Sequence, residues 1–127
     1  MVGRAGCGSD SVAFIYCKGI ILDIEELRKR IRNKHYLIKS HAVQHALKEG
    51  FARQHIVAAV LTGEIIETYP DDQRVLISGS VVMDDTNVYL HVVCEYVDPV
   101  YVDIIIAYIP DLTRWDNPPL RRRRQRR

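Results

Sequence analysis

The spacing of apolar positions changes character once along this chain, near Gly63, and that change predicts the architecture. Before it, apolar residues recur at helical intervals. Ile24, Leu27 and Ile31 form one stripe, Ala42, Val43, Ala46 and Leu47 a second, and Ile56, Val57, Val60 and Leu61 a third. Asp23 followed by Glu26 is an N-cap with its capping-box partner, opening a helix from about Ile24 to Asn33. Glu25–Lys29 and Glu26–Arg30 stand four apart in the favourable orientation. Ser40 is placed to cap the second helix and Gly50 to end it in a left-handed conformation; the third runs from about Arg53 to Thr62, with Gly63 as its stop. Helices this short need tertiary packing to persist.

From Glu64 the period becomes two, and four strands are expected: Glu64–Tyr69, Arg74–Val82, Val88–Tyr96 and Tyr101–Ile109. Pro70-Asp71-Asp72, Asp84-Asp85-Thr86-Asn87 and Asp98-Pro99 supply the turns. Connections so short force neighbouring strands antiparallel. Tyr36 to Lys39 reads as a short strand leading into Ser40. The expected fold is α+β, with N-terminal helices packed on one face of a four-stranded antiparallel sheet whose reverse face is bare. Residues 1–22 read as an N-terminal arm, with Val12 to Cys17 a candidate edge strand. Residues 23–116 form the domain, order ends at Asn117-Pro118-Pro119, and residues 117–127 are an Arg-rich tail.

Alternation assigns side chains to faces. Val88, Leu90, Val92, Cys94 and Tyr96 suit the helix-covered core, leaving Tyr89, His91, Val93 and Glu95 on the open face. In the last strand, Val102, Ile104, Ile106 and Tyr108 separate from Tyr101, Asp103, Ile105, Ala107 and Ile109. Trp115 is expected to cover the edge of the core.

Composition narrows the class. The chain has 127 residues, 47% apolar and 27% charged, as a single globular domain has. Three cysteines without a C-x-x-C pair point to a reduced, cytoplasmic setting. Lys18 interrupts the apolar run Val12 to Leu22, so the start does not pass as a secretory signal, and no stretch nears the roughly 20 apolar residues that span a bilayer. The net charge of +2 conceals segregation. Residues 1–35 carry seven Lys/Arg against four Asp/Glu, residues 36–120 five against twelve, and residues 121–127 six arginines. An acidic body counts against a simple nucleic-acid-binding face.

His41-Ala42, Gly50-Phe51, Gly63-Glu64-Ile65-Ile66-Glu67-Thr68-Tyr69-Pro70, Ile105-Ile106-Ala107-Tyr108-Ile109-Pro110-Asp111 and Trp115 follow one another in an order that carries a resemblance. From about Tyr36 to Trp115 the chain resembles the small bacterial family catalogued as domain of unknown function 4258. That family looks similar in fold to the RelE/ParE-like ribonuclease and gyrase-inhibitor toxins. The pattern departs at His45 and Glu49, where relatives usually carry arginine, and at Ile106, where threonine is common. The resemblance implies an RNA-directed activity on the open sheet face and an antitoxin-like protein partner.

Cleaving RNA without a metal requires a base for the 2′-hydroxyl, an acid for the leaving oxygen and a cation on the phosphate. His91 and Glu95 are candidates for base and acid, with Tyr108 or Tyr89 assisting; His41 is a further catalytic candidate because it matches the family pattern. Arg114 and the tail arginines Arg121, Arg122, Arg123 and Arg124 are candidates for contact with RNA or another polyanion. His41 and His45 have a metal-like spacing, but the glutamate of H-E-x-x-H is missing, and neither a metal nor a cofactor is expected. A strand with a merely polar outer face accounts for the same residues. The competing reading is a non-catalytic protein-interaction module that touches nucleic acid through its Arg-rich tail.

Overall fold

A computed structural model describes residues 22–123. The expectations for an N-terminal arm, for a strand at Val12 to Cys17 and for Arg124 lie outside the described residues, except that Leu22 is buried in the core.

Helix α1 (Ile24–Arg32) begins where the Asp23 carboxylate accepts the Glu26 amide at 2.8 Å. Glu26 pairs with Arg30 at 3.0 Å, whereas Glu25 pairs with Arg28 instead of Lys29. Strand β1 (Tyr36–Ile38) leads into α2 (Ser40–Glu49). Ser40 is already helical and caps nothing; Lys39 stands at the N-cap without a side-chain bond. Gly50 does end the helix at φ 87°, a conformation that favours glycine. The buried side of α2 is Ala42 and Ala46, while Leu47 is exposed. Helix α3 (Arg53–Thr62) opens with His55 Nδ1 accepting the Ala52 amide at 2.9 Å.

Four longer strands follow: β2 (Glu64–Tyr69), β3 (Arg74–Met83), β4 (Thr86–Glu95) and β5 (Val102–Tyr108). A 3-10 turn at Pro70–Asp72 joins β2 to β3, and Asp84 and Asp85, both at positive φ, join β3 to β4. Among the described residues the sheet has five strands, in the order β1-β5-β4-β3-β2. This corrects the expected four-stranded antiparallel sheet. β1 is an added edge strand and runs parallel to β5, Tyr36 opposite Val102 and Ile38 opposite Ile104. Parallel pairing requires a long crossover, and α2 through β4 provide it.

The helices cover one face. Leu27, Ile31, Ala42, Ala46, Phe51, Ile56, Ala59 and Val60 close over Val75, Ile77, Leu90, Val92, Cys94, Val102, Ile104 and Ala107. α3 meets the sheet backbone-to-backbone. A Cβ on Gly79 would lie 2.1 Å from the Ala59 carbonyl oxygen, and one on Gly63 2.5 Å from it. Gly63 is therefore there for space, not for a left-handed turn, since its φ is −88°. Arg28 ties α1 to the same corner by donating to the Gly63 carbonyl at 2.8 Å.

The reverse face is not bare. Beyond β5 the chain turns back, so order does not end at Asn117. Residues 114–123 close on themselves through a bridge between Trp115 and Arg122 and through Asp116 N–H to Arg121 O (2.9 Å) and Arg123 N–H to Arg114 O (2.8 Å). The peptide before Pro118 is cis. This strap lies over the reverse face and buries Trp115 there.

Candidate functional site beneath the C-terminal strap

Strand geometry decides which side chains share the reverse face. Ser78 lies opposite His91, and His91 opposite Tyr108. A bulge puts Cys94 opposite Ile104 but Val93 opposite Ile106, leaving Ile105 unpaired. The extra residue shifts the phase of β5. Val102 and Ile104 face the helices, yet beyond the bulge Ala107 is buried there and Tyr108 meets His91 on the other side. A second bulge, between Ile65 and Glu67, sends Glu67 to the face of its partner Leu76.

Five titratable groups result, arranged around one indole. His91 has no exposed surface. Its Nε2 lies 2.7 Å from the Pro119 carbonyl, so that nitrogen carries the proton and donates. Nδ1 is then free to accept from the Tyr108 hydroxyl, 3.3 Å away. The imidazole stands edge-on to Trp115, ring centres 4.4 Å apart. The Arg122 guanidinium also lies over the Trp115 ring, 4.6 Å from its centre. Arg122 makes two hydrogen bonds to Glu67, at 2.7 and 3.0 Å, and the Tyr69 hydroxyl donates to the same carboxylate. Ser78 Oγ donates to the Pro119 carbonyl at 3.2 Å.

The electrostatics follow. Burial lowers the His91 pKa, the bond to Pro119 and the charge of Glu67 oppose that, and the net result is a ring held neutral below its ordinary value. Burial pushes the Glu67 carboxyl up, but hydrogen bonds from Arg122 and Tyr69 outweigh it, and the group sits below the usual carboxylate range. Tyr108 is raised by burial, and Tyr69 by burial and by its bond to Glu67, so both phenols keep their protons.

The candidate residues read from sequence are brought together only in part. His91, Tyr108 and Arg122 meet in this cluster. Glu95 shares the face but lies four strand residues from His91, about 13 Å along β4, and is paired with Arg74 at 2.9 Å. His41 is exposed on α2, which packs on the helix side of the sheet through Ala42 and Ala46, so it shares no surface with His91. Arg114 and Arg121 are exposed on the strap, while Arg123 donates to the Trp115 carbonyl at 3.0 Å. His45 pairs with Glu49 at 3.1 Å, and Glu49 also accepts the Ile109 amide. Among the described residues, no three His, Cys, Asp or Glu side chains gather as a metal site. Glu67 and Tyr69 are the additions. Both stand in the Glu67-Thr68-Tyr69 run, where spacing by two already places them on one face.

Fold and cluster together define an α+β domain with helices on one side of a mixed sheet and a polar cluster under a folded-back strap on the other. A family model described as a domain of unknown function (DUF4258) matches residues 38–109, more than half of the 127 residues, and the chain belongs to that family. No curated protein matches the chain. Glu67, Tyr69, His91 and Tyr108 lie within the matched span, whereas Trp115, Pro119 and Arg122 lie beyond it. No helix among the described residues is long and apolar enough to cross a membrane.

Proposed function

We propose that this domain cleaves RNA without a metal on the sheet face opposite its helices, in the manner of the RelE/ParE-like toxins to which the resemblance in its sequence points. One observation carries the reading: a neutral histidine hydrogen-bonded to a tyrosine, beside a carboxylate bound to a guanidinium. Neutral His91 is in the form a general base needs. Tyr108, still protonated near neutrality, is in the form that donates to a leaving oxygen. Arg122 is the group for the phosphate, and Glu67 favours the imidazolium that forms when His91 takes the 2′-hydroxyl proton. An antitoxin-like partner and a reducing, cytoplasmic setting accompany this reading; buried, unpaired Cys94 is compatible with the latter.

A second reading is favoured by a specific observation. His91 is fully covered, with Nε2 spent on Pro119, and Arg122 and Arg123 are bonded within the chain. On that reading the cluster fastens the strap, and the domain is a non-catalytic interaction module. Incubating the purified full chain with single-stranded RNA, beside the same sequence as DNA, decides between them. The catalytic reading expects cut RNA ending in 2′,3′-cyclic phosphate, intact DNA, and a loss of about 10²-fold or more in His91→Gln. RNA left whole at low salt, with the strap shown to be displaced, overturns it.

A further inference from the structure

The strap is held by contacts for which a polyanion competes. It touches the sheet at three points: the Trp115 ring against His91, the Pro119 carbonyl on His91 and Ser78, and the Arg122 guanidinium on Glu67. Its one backbone bridge, Trp115 to Arg122, is internal to the strap, and the apolar side chains it buries are those of Trp115 and Pro119. The ionic anchor is reachable, because the Arg122 side chain remains 58% exposed. Arg114 and Arg121 stand exposed beside it on the same short segment. Glu67 offers this group of guanidiniums a single carboxylate. A phosphodiester chain offers one anion per nucleotide and binds several arginines together, with release of condensed counterions.

We propose that the C-terminal strap is a lid operated by RNA: the phosphate backbone draws Arg122 away from Glu67, Trp115 leaves its seat against His91, and Glu67, Tyr69, His91 and Tyr108 are bared. This deepens the reading above and rests on it for what the bared face then does. Release of the strap itself is independent of chemistry. The acidic stretch 36–120, which includes the sheet beneath the strap, repels RNA and leaves the strap arginines as the approach to this face. The closed lid in turn keeps the neutral imidazole away from bulk water until a polyanion arrives.

Trp115 is the single tryptophan of the chain, so its emission reports the lid directly. The full chain at low salt is titrated with a 2′-O-methyl uridine oligomer, which lacks the attacking hydroxyl, while binding is followed separately by the oligomer's fluorescence anisotropy. Binding is expected to move Trp115 emission to longer wavelength without loss of far-UV circular dichroism, and added salt to reverse it. In Glu67→Gln, with the anchor weakened but the shape kept, the midpoint is expected at about three- to fivefold lower oligomer concentration. Arg122→Gln is expected to emit at the longer wavelength before any oligomer is added. Inorganic polyphosphate reproducing the shift would assign the trigger to phosphate rather than to bases, which the proposal expects. Unchanged emission when the oligomer is bound, absence of binding, or an unmoved midpoint in folded Glu67→Gln each overturn it. None of these readouts is cleavage. A lid that opens over uncut RNA sinks the ribonuclease reading alone, and a lid that stays shut sinks this one.

Discussion

Glu67 and Arg122, 55 residues apart in sequence, share two hydrogen bonds at 2.7 and 3.0 Å and so fasten the end of the described chain to the edge strand β2. The pair is flanked by Tyr69 on the carboxylate and Trp115 under the guanidinium. Its planar, two-point geometry is the form in which a partly exposed ion pair contributes measurably. In a double-mutant cycle of Glu67→Gln and Arg122→Gln, followed by urea unfolding, the expected coupling is about 0.5–1 kcal/mol. A coupling indistinguishable from zero would reduce the pair to a surface contact.

Acid should loosen the protein in two stages. His91 is neutral in the native state with its pKa below 6.5, so the unfolded chain binds the extra proton as pH falls past that value. Stability from this group is complete above about pH 6.5 and is lost towards the native pKa, with a slope of at most about 1.4 kcal/mol per pH unit. Glu67, also depressed, contributes stability above the unfolded carboxylate value of 4.5 that is lost as pH falls through its lower native pKa. Urea midpoints measured from pH 8 to 3 should show both falls. His91→Gln should remove the upper one and Glu67→Gln the lower.

Much of this was legible in the sequence, and the gaps have physical causes. The Asp23 cap, the glycine end of α2 and the alternation of β4 are local, and local rules found them. Two bulges were not legible. Nothing in Ile104-Ile105-Ile106 marks which isoleucine steps out of the ladder, and that slip parts Tyr108 from Val102 and Ile104 and sets it beside His91. The parallel pairing of β1 depends on a strand far along the chain, which no local window sees. Trp115 looked like a cover for the core edge, but its partners are His91 and Arg122 on the other face. The tail, rich in arginine and proline, has the composition of a disordered end, yet Glu67 and His91 hold its first part down.

The contact between α3 and β3 leaves no room for a methyl group. Gly79→Ala sets a Cβ against the backbone of Ala59, which cannot rotate away. Destabilisation of about 3 kcal/mol or more is expected, at the upper end for overpacking. Gly50→Ala, with open space but φ of 87°, should lose only about 1–2 kcal/mol. Thermal unfolding of the two variants distinguishes crowding from backbone strain.

The turn between β3 and β4 holds two aspartates at φ 50° and 62°. Both central positions of such a two-residue hairpin favour Asn-Gly. Asp85→Gly should therefore raise the melting temperature by a few degrees, through about 0.5–1 kcal/mol of relieved strain. A lower melting temperature would show that the Asp85 side chain contributes more than its backbone costs.

Cys94 is sealed under the helices, and burial pushes its thiol up to about 12. In a Cys7→Ser/Cys17→Ser background, a thiol reagent should label it only as fast as the whole domain unfolds. Labelling that persists under strongly stabilising conditions would reveal local opening between β4 and the helices.

The side-by-side run of β1 and β5 also dictates a timetable. Tyr36 leaves the ribosome long before Val102, its neighbour in the finished sheet. Until then β1 has no ladder, and the core face of α2 lacks the strand it rests on. The nascent domain is thus compelled to wait, half-assembled, for its last strand, and its folding rate is governed by closing that long loop rather than by how fast its helices form.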